Sequence, residues 1–550
     1  MPRTANFTVS LSGPSSIPVS VDYATHDVSA TGGSILGPAD YINSRGTLVF
    51  APGEVSKVVK VRVRADTPTA PQERFIMVLT NPVNGTLASG TTTGTAILAG
   101  TTGPAIGWEL TVSFDGMTDI PASPVLKALS ADGNQYKDSD GAVVRLQGIN
   151  WYGQDGSTMV PNGLYNSISF KEILDQVRAL GFNCLRLPFS DDMVYSTALL
   201  NADSGPQFVG LANPELIGKT PLQGLDVIAA YCAEIGLRII LDHHRISKDA
   251  ARLGDPSFGT DGWPKPNLAT AEWLYHGSST ARAYNETTWQ TLWTDLATHC
   301  TTGVWASNPA MKNVIAGFEP HNEPHNVSWA TWAGMCERLF PIVNAIAPDW
   351  MMFVDGVGAS ADGTDTYWWG GYLKDAATRP IDLGSKQNKL AYVAHDYAHS
   401  VSDQVWLSSL ANTVGAPYPP LPNLTVAGYP SNLEALWDAN WGFIYRENIA
   451  PLWVNEFGGG FGLDADTGLP DANQNNASLE KQWGRALVRY LNGQRNDNTS
   501  MVPSGGAALS FAYFALNPES GNPLGGLVIN ADYATVQRDK MDIILPLLGD

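Results

Sequence analysis

The stretch GFEPHNEPHNVSW at 317–329 sets two carboxylates, Glu319 and Glu323, four positions apart among histidines and prolines. Pro320 has no N–H to give a sheet ladder, so a strand running through VIAGF is predicted to end near Glu319, with Glu323 beyond the last pairing. Glu323 is then the acid placed to meet a ligand, and Glu319 an orienting carboxylate or half of an ion pair. A second acid of the same kind, Glu456, follows the apolar run PLWV and precedes FGGGFG, glycines that let the backbone leave a crowded place. Two carboxyls on separate strand ends, with arginine, histidine and tyrosine nearby, suit glycosidic bond cleavage: one acid protonates the leaving oxygen and one carboxylate meets the developing oxocarbenium ion. Taken singly, each has a plain structural reading as a turn residue, a satisfied core histidine or a strand-bridging arginine. The combination carries the chemistry.

The elements that must hold these groups alternate in type. From about 143 onward VVRLQGIN, ISFKEILDQVRALG, FNCLRLPF, GLDVIAAYCAEIG and LRIILDHH switch between apolar strand-like runs and amphipathic helix-like ones, and VIAGFE, MMFVDG, LAYVAHD, PLWVNEF and ALSFAYF bring the strands to eight. Apolar runs without alternation are strands covered on both faces, and eight such units imply a (β/α)8 TIM barrel. Active sites of such barrels lie at the carboxyl ends of the strands. Those ends carry Asn150 and Trp151, Arg186, Asp242 with His243 and His244, Asn322 with Glu323, His395 with Tyr397, and Asn455 with Glu456.

The first hundred residues read differently. FTVSL, PVSVDYAT, GTLVFAPG, VVKVRVRA, RFIMVLT and GTAIL have period two and turn-rich spacers, which predicts an antiparallel, immunoglobulin-like all-β sandwich. The division expected is a sandwich at 1–103, a linker with entry strands at 104–134, and the barrel at 135–550. A net charge of -20 disfavours nucleic acid and anionic lipid, and no apolar run is long enough to span a bilayer. The start MPRTANFTVS lacks the apolar core of a signal peptide, so the chain is intracellular or its export signal has been removed. Cys184, Cys232, Cys300 and Cys336 form no C-x-x-C pair, which leaves core thiols and disulfides open and argues against structural zinc.

Two resemblances follow from particular motifs. VDYATHD, PADY, GTLVFAPGE and ERFIMVLTNP resemble a Calx-beta domain, entered after the family's first strand. Such domains often bind calcium, yet Ala70, Ala99 and Gly100 stand where acids are usual, leaving Asp27, Asp40, Asp66 and Glu73; a spacer role is expected ahead of calcium binding. GINWYG, GFNCLRLPFSDD, GLRIILDHHR, HNEPH, AHDYAHS, WVNEFGG and LNPESGNPLGGL, in that order, resemble glycoside hydrolase family 5, the retaining cellulases with paired glutamates on strands four and seven. This resemblance implies Glu323 as acid/base and Glu456 as nucleophile, Asn322 on the sugar 2-hydroxyl, Arg186 and Tyr397 keeping Glu456 ionised and aimed, and His244 and His395 positioning around the cleavage point.

Phe514 stands in FALNP where the family usually has a tryptophan, which implies an altered sugar platform. Trp151, Trp273, Trp329, Trp368 and Trp369 lie in or beside expected mouth loops, and several platforms would fit a long, unbranched polysaccharide; the resemblance to the cellulase branch implies that this is β-1,4-glucan. The resemblance therefore implies a secreted endo-β-1,4-glucanase; a monomer is expected, and, with no nucleotide loop, triad or metal cluster in the sequence, no cofactor. Exo action, a mannanase or mixed-linkage glucanase, and a carbohydrate-binding protein without activity are the alternatives. Asp464, Asp466 and Asp471 have spacings like a calcium loop without its closing glutamate, so a solvated turn is expected there.

Overall fold

The computed structural model describes most of residues 3–98 and 125–548; outside the description are 99–124, 247–265, 274–285, 402–428, 462–476 and several shorter stretches. The chain divides into two compact units, 1–124 and 125–550. Among its described residues the first holds two four-stranded sheets. One is ordered Arg3–Ser10, Ser56–Val63, Tyr41–Ile42, Gly32–Gly33, and the other Arg45–Phe50, Val19–Asp27, Glu73–Val83, Thr93–Leu98. Alternation decides the packing: Val59, Val61 and Val63 turn inward with Phe7, Tyr41, Phe75 and Met77, and the Tyr41 ring stacks on Phe75 with centroids 3.9 Å apart.

The second unit is a closed barrel of eight parallel strands: Gln147–Asn150, Cys184–Ser190, Arg238–Arg245, Ile315–Glu319, Met351–Asp355, Leu390–His395, Leu452–Phe457 and Ser510–Tyr513. Strand one closes the ring by pairing with strand eight. Strands two, four, five, six, seven and eight are buried at every described position, as expected of strands enclosed on one side by the barrel interior and on the other by helices. Gly317 lets strands four and five approach closely, since a Cβ there would sit 2.3 Å from the Met351 carbonyl oxygen.

Caps set the helix boundaries. Ser169 with Glu172 and Thr220 with Gln223 form capping boxes at Phe170–Ala179 and Pro221–Glu234, the latter with Pro221 in the first turn. A hairpin of Leu129–Asp132 and Gln135–Asp138, joined by Val143–Val144, precedes strand one. Its Leu129 and Tyr136 enter the core cluster with Cys184, Met351, Phe353 and Trp453, residues from the starts of the strands. The hairpin thus closes the amino end of the barrel and leaves the carboxyl end for chemistry. All four cysteines are buried free thiols, and no helix among the described residues is long and apolar enough to cross a membrane.

Phe353 lies between the Tyr136 ring at 6.1 Å and the Trp453 ring at 5.3 Å. Phe353→Ala should lower the unfolding free energy of the barrel by about 3–5 kcal/mol, the cost of a large cavity. Val143→Ala, at a partly exposed hairpin position, should change it by less than about 0.5 kcal/mol. Denaturant titration read by tryptophan fluorescence distinguishes the two, because of the 17 tryptophans only Trp108 precedes residue 125.

Candidate active site

Arg186, fully buried on strand two, organises the carboxyl end of the barrel. Its Nε donates to Glu319 Oε2 at 2.8 Å, while Nη2 donates to Glu319 Oε1 and to Asn322 Oδ1 at 2.7 Å, and lies 3.1 Å from Asp242 Oδ2. Nη1 donates to Asn150 Oδ1 at 3.0 Å and to Glu456 Oε1. Burial disfavours the charged guanidinium, but Asp242, Glu319 and Glu456 together hold it charged, well above its ordinary pKa. Asn455 completes the lower layer by donating to Glu319 Oε2 at 2.8 Å, and Asn150 ties strand one to the Asn455 carbonyl at 2.8 Å.

Glu456 receives the Tyr397 hydroxyl on Oε2 at 2.7 Å, with His395 Nδ1 3.6 Å from the same oxygen. Burial would raise its pKa; His395, Arg186, His244 and the Tyr397 hydrogen bond outweigh that and hold it down to about 2. Glu323 faces it from the end of strand four, with Oε1 2.8 Å from His395 Nδ1. Oxygens of the two carboxylates and a ring nitrogen of His395 all lie within 4.8 Å of one another. For His395 the burial cost is exceeded by attraction to Glu456 and by its contact with Glu323, so its pKa is raised.

Local backbone explains how neighbouring strands deliver these groups to one place. Strand four ends at Glu319, and the chain turns after Pro320 so that Glu323 takes φ 47°, a left-handed conformation costly for a side-chain-bearing residue. Its N–H donates to Asp355 Oδ2 at 2.9 Å and its carbonyl meets His325 Nδ1 at 2.6 Å, so the turn is pinned on both sides. A register shift between Ala394 and His395 brings His395 opposite Glu456, an irregularity of the kind that re-aims side chains at barrel rims.

Comparison with known proteins places this geometry. The cellulase (glycosyl hydrolase family 5) model matches residues 138–501. The chain belongs to glycosyl hydrolase family 5. It is 31% identical over 421 residues to an endoglucanase of Paenibacillus polymyxa, covering 75% of this chain and 85% of that one. It is 27% identical over 444 residues to the major extracellular endoglucanase of Xanthomonas campestris pv. campestris, covering 78% and 73%. The solved catalytic domain of that Xanthomonas endoglucanase superposes with TM-score 0.56 at 26% identity, over 76% of this chain and all of its own. A Calx-beta domain model matches residues 3–100. The chain is thus a glycoside hydrolase with a Calx-beta domain ahead of its barrel.

In this family 5 enzyme the structure gathers Glu323, Glu456, Arg186, Asn322, His395 and Tyr397 at one site. His244 lies at its edge, partly exposed, with Nδ1 2.7 Å from Asp242 Oδ2. Trp369 is exposed and stacks on His325 with centroids 4.2 Å apart. Phe514 is half-buried and lies parallel to the Tyr152 ring at 5.8 Å.

Three expected platforms are corrected. Trp151 is wholly buried and donates to the Asn162 carbonyl, and Trp329, opening the helix Trp329–Ile346, is buried and donates to the Arg379 carbonyl. Their faces are spent on core packing. Trp368 is likewise buried, edge-on to Tyr397. The Trp273 side chain, Asp464, Asp466 and Asp471 lie outside the described residues.

Asp355 is a further residue of the site, not among those singled out from the sequence. It ends strand five just after an apolar run, the same signal that marks Glu456, and its pKa is pushed well up by burial and then by Glu319.

Because the Glu456 pKa is lowered on folding, it adds stability that is fully present above the ordinary carboxylate value of 4.5 and is lost as pH falls toward about 2. In Glu456→Gln that acid-side loss should shrink, whatever the absolute stability, in thermal melts taken from pH 2 to 6. Tyr397→Phe removes one of the bonds holding the pKa down, so the acid limb of hydrolysis should move toward higher pH in a kcat/KM profile.

Proposed function

We propose that this enzyme is a retaining endo-β-1,4-glucanase, secreted and monomeric, that cuts β-glucan chains by double displacement. The observation that carries the reading is the close approach of Glu323 and Glu456, oxygens within 4.8 Å of each other across the barrel mouth. That spacing fits the roughly 5–5.5 Å between carboxyl groups in retaining enzymes better than the roughly 6.5–9.5 Å that leaves room for a water in inverting ones.

Glu456, kept ionised by Arg186, His395 and Tyr397, attacks the anomeric carbon while Glu323 protonates the departing glycosidic oxygen. With Glu456 esterified, Glu323 takes a proton from water, which then cleaves the ester and restores both groups. His395, between the two, is placed to stabilise negative charge on whichever carboxylate carries it. Asn322 is assigned to the sugar 2-hydroxyl, His244 to a neighbouring hydroxyl, and Trp369 and Phe514 to sugar faces. The chemistry asks for no cofactor, since acid, nucleophile and orienting charges are all side chains. The names of the Paenibacillus and Xanthomonas relatives support endo action on glucan, and the word extracellular in the latter supports export. The Calx-beta unit is assigned a spacer role.

Proton NMR during early hydrolysis of a soluble cello-oligosaccharide should show the β-anomer released first; the α-anomer would overturn double displacement. Glu456→Gln should lower kcat on the order of 10³-fold or more. Steep viscosity loss per reducing end on carboxymethylcellulose, with little product from mannan, is expected of internal cuts in glucan.

A further inference from the structure

One buried acid in the wall of the site has no part in these steps. Asp396 is almost fully buried, directly between His395 and Tyr397. Extended backbone sends successive side chains to opposite sides, and the contacts follow that rule. His395 reaches Glu323, Tyr397 reaches Glu456, and Asp396 turns away from both, toward the helical layer. There Tyr367 donates its hydroxyl to Oδ2 and the Trp483 indole donates to Oδ1 at 3.1 Å. Trp441 donates to the Tyr367 hydroxyl oxygen at 3.4 Å. The three aromatic residues come from three places: the segment after strand five, the helix Ala477–Leu491, and the π-helical segment Asp438–Gly442. The Asp396 amide donates to the Glu456 carbonyl at 3.0 Å, so the same residue grips the backbone of the glutamate on the next strand.

We propose that Asp396 is a positioning residue that sets the separation of Glu323 and Glu456, a role resting on the glucanase reading of those two acids. A tripeptide whose outer side chain is bolted to the helices, and whose inner side chains each hold one glutamate, acts as a ruler across the cleft. A buried carboxyl is an expensive way to fill space, whereas one caught between two directional donors has a single orientation and transmits it to its neighbours. Burial pushes this carboxyl up to about 7 against the pull of the surrounding donors, so near neutrality it is divided between its ionised and neutral forms. Asparagine can imitate the neutral form by accepting from Trp483 and donating to the Tyr367 oxygen, which a hydroxyl permits.

The test measures kcat, KM and the pH profile on an aryl β-cellobioside for Asp396→Ala, Asp396→Asn and the double variant Tyr367→Phe with Trp483→Phe. Wild-type turnover, run alongside, tests the glucanase reading separately. Asp396→Ala should lower kcat about 10- to 100-fold with KM changed less than about threefold, the scale of a displaced reacting group. Its acid limb should move toward neutrality, as in Tyr397→Phe, and Asp396→Asn should recover most of kcat. The double variant, altered only at the far wall, should show the same shift and serves in place of Asp396→Ala if that protein does not fold. An acid limb where the wild type has it, with or without loss of kcat, would reduce Asp396 to packing and overturn the proposal.

Discussion

A single guanidinium ties the carboxyl end of this barrel together. Arg186 leaves strand two and bonds to groups on strands one, four and seven, and it lies beside Asp242 on strand three. Buried without partners, such a charge would cost several kcal/mol, and removing one partner would expose the rest to the same cost. Its planar fork accepts partners only in fixed directions, which lysine could not enforce. Glu456 is therefore not merely near a positive charge; it is held by one whose other donors are already committed to Glu319, Asn322 and Asn150.

The layer around this centre does similar work with indoles. Trp289 and Trp293 both donate to the Pro320 carbonyl, and Trp332 donates to the Asp355 carbonyl. Each caps a backbone oxygen where a strand ends and the chain turns, the place where ladder bonds run out and a buried carbonyl needs a donor. The abundance of tryptophan thus has a structural source beside any role with sugars. Trp151 and Trp329 likewise give their N–H groups to backbone carbonyls, in the loops at Asn162 and Arg379, whereas Trp369, stacked on the histidine that holds the Glu323 turn, keeps its outer surface open.

Much of this was legible in the order of residue types. Uninterrupted apolar runs alternating with amphipathic segments announced parallel strands between helices, and period-two runs announced the sandwich, because burial on two faces or on one leaves different patterns. Pro320 marked the end of strand four, and the structure ends it at Glu319. The hairpin at 129–144 was not legible as a barrel floor, since short strands with mixed burial look like any entry segment. Nor could the tryptophans be sorted, because an indole packed in a core and one facing a cleft follow the same local pattern.

By itself the sequence determined the two-part architecture, the strand ends and the short roster of acids and bases that stand on them, since these depend on local periodicity and on where proline and glycine interrupt it. Only the tertiary structure decided which of those groups touch. Glu323 and Glu456 are brought together by barrel closure and by a register shift at His395, Asp355 is drawn beneath Glu323, and Asp396 is turned outward to a wall of aromatic donors. Such juxtapositions join residues on separate strands through packing and buried charge pairing, and no local pattern in the chain records them.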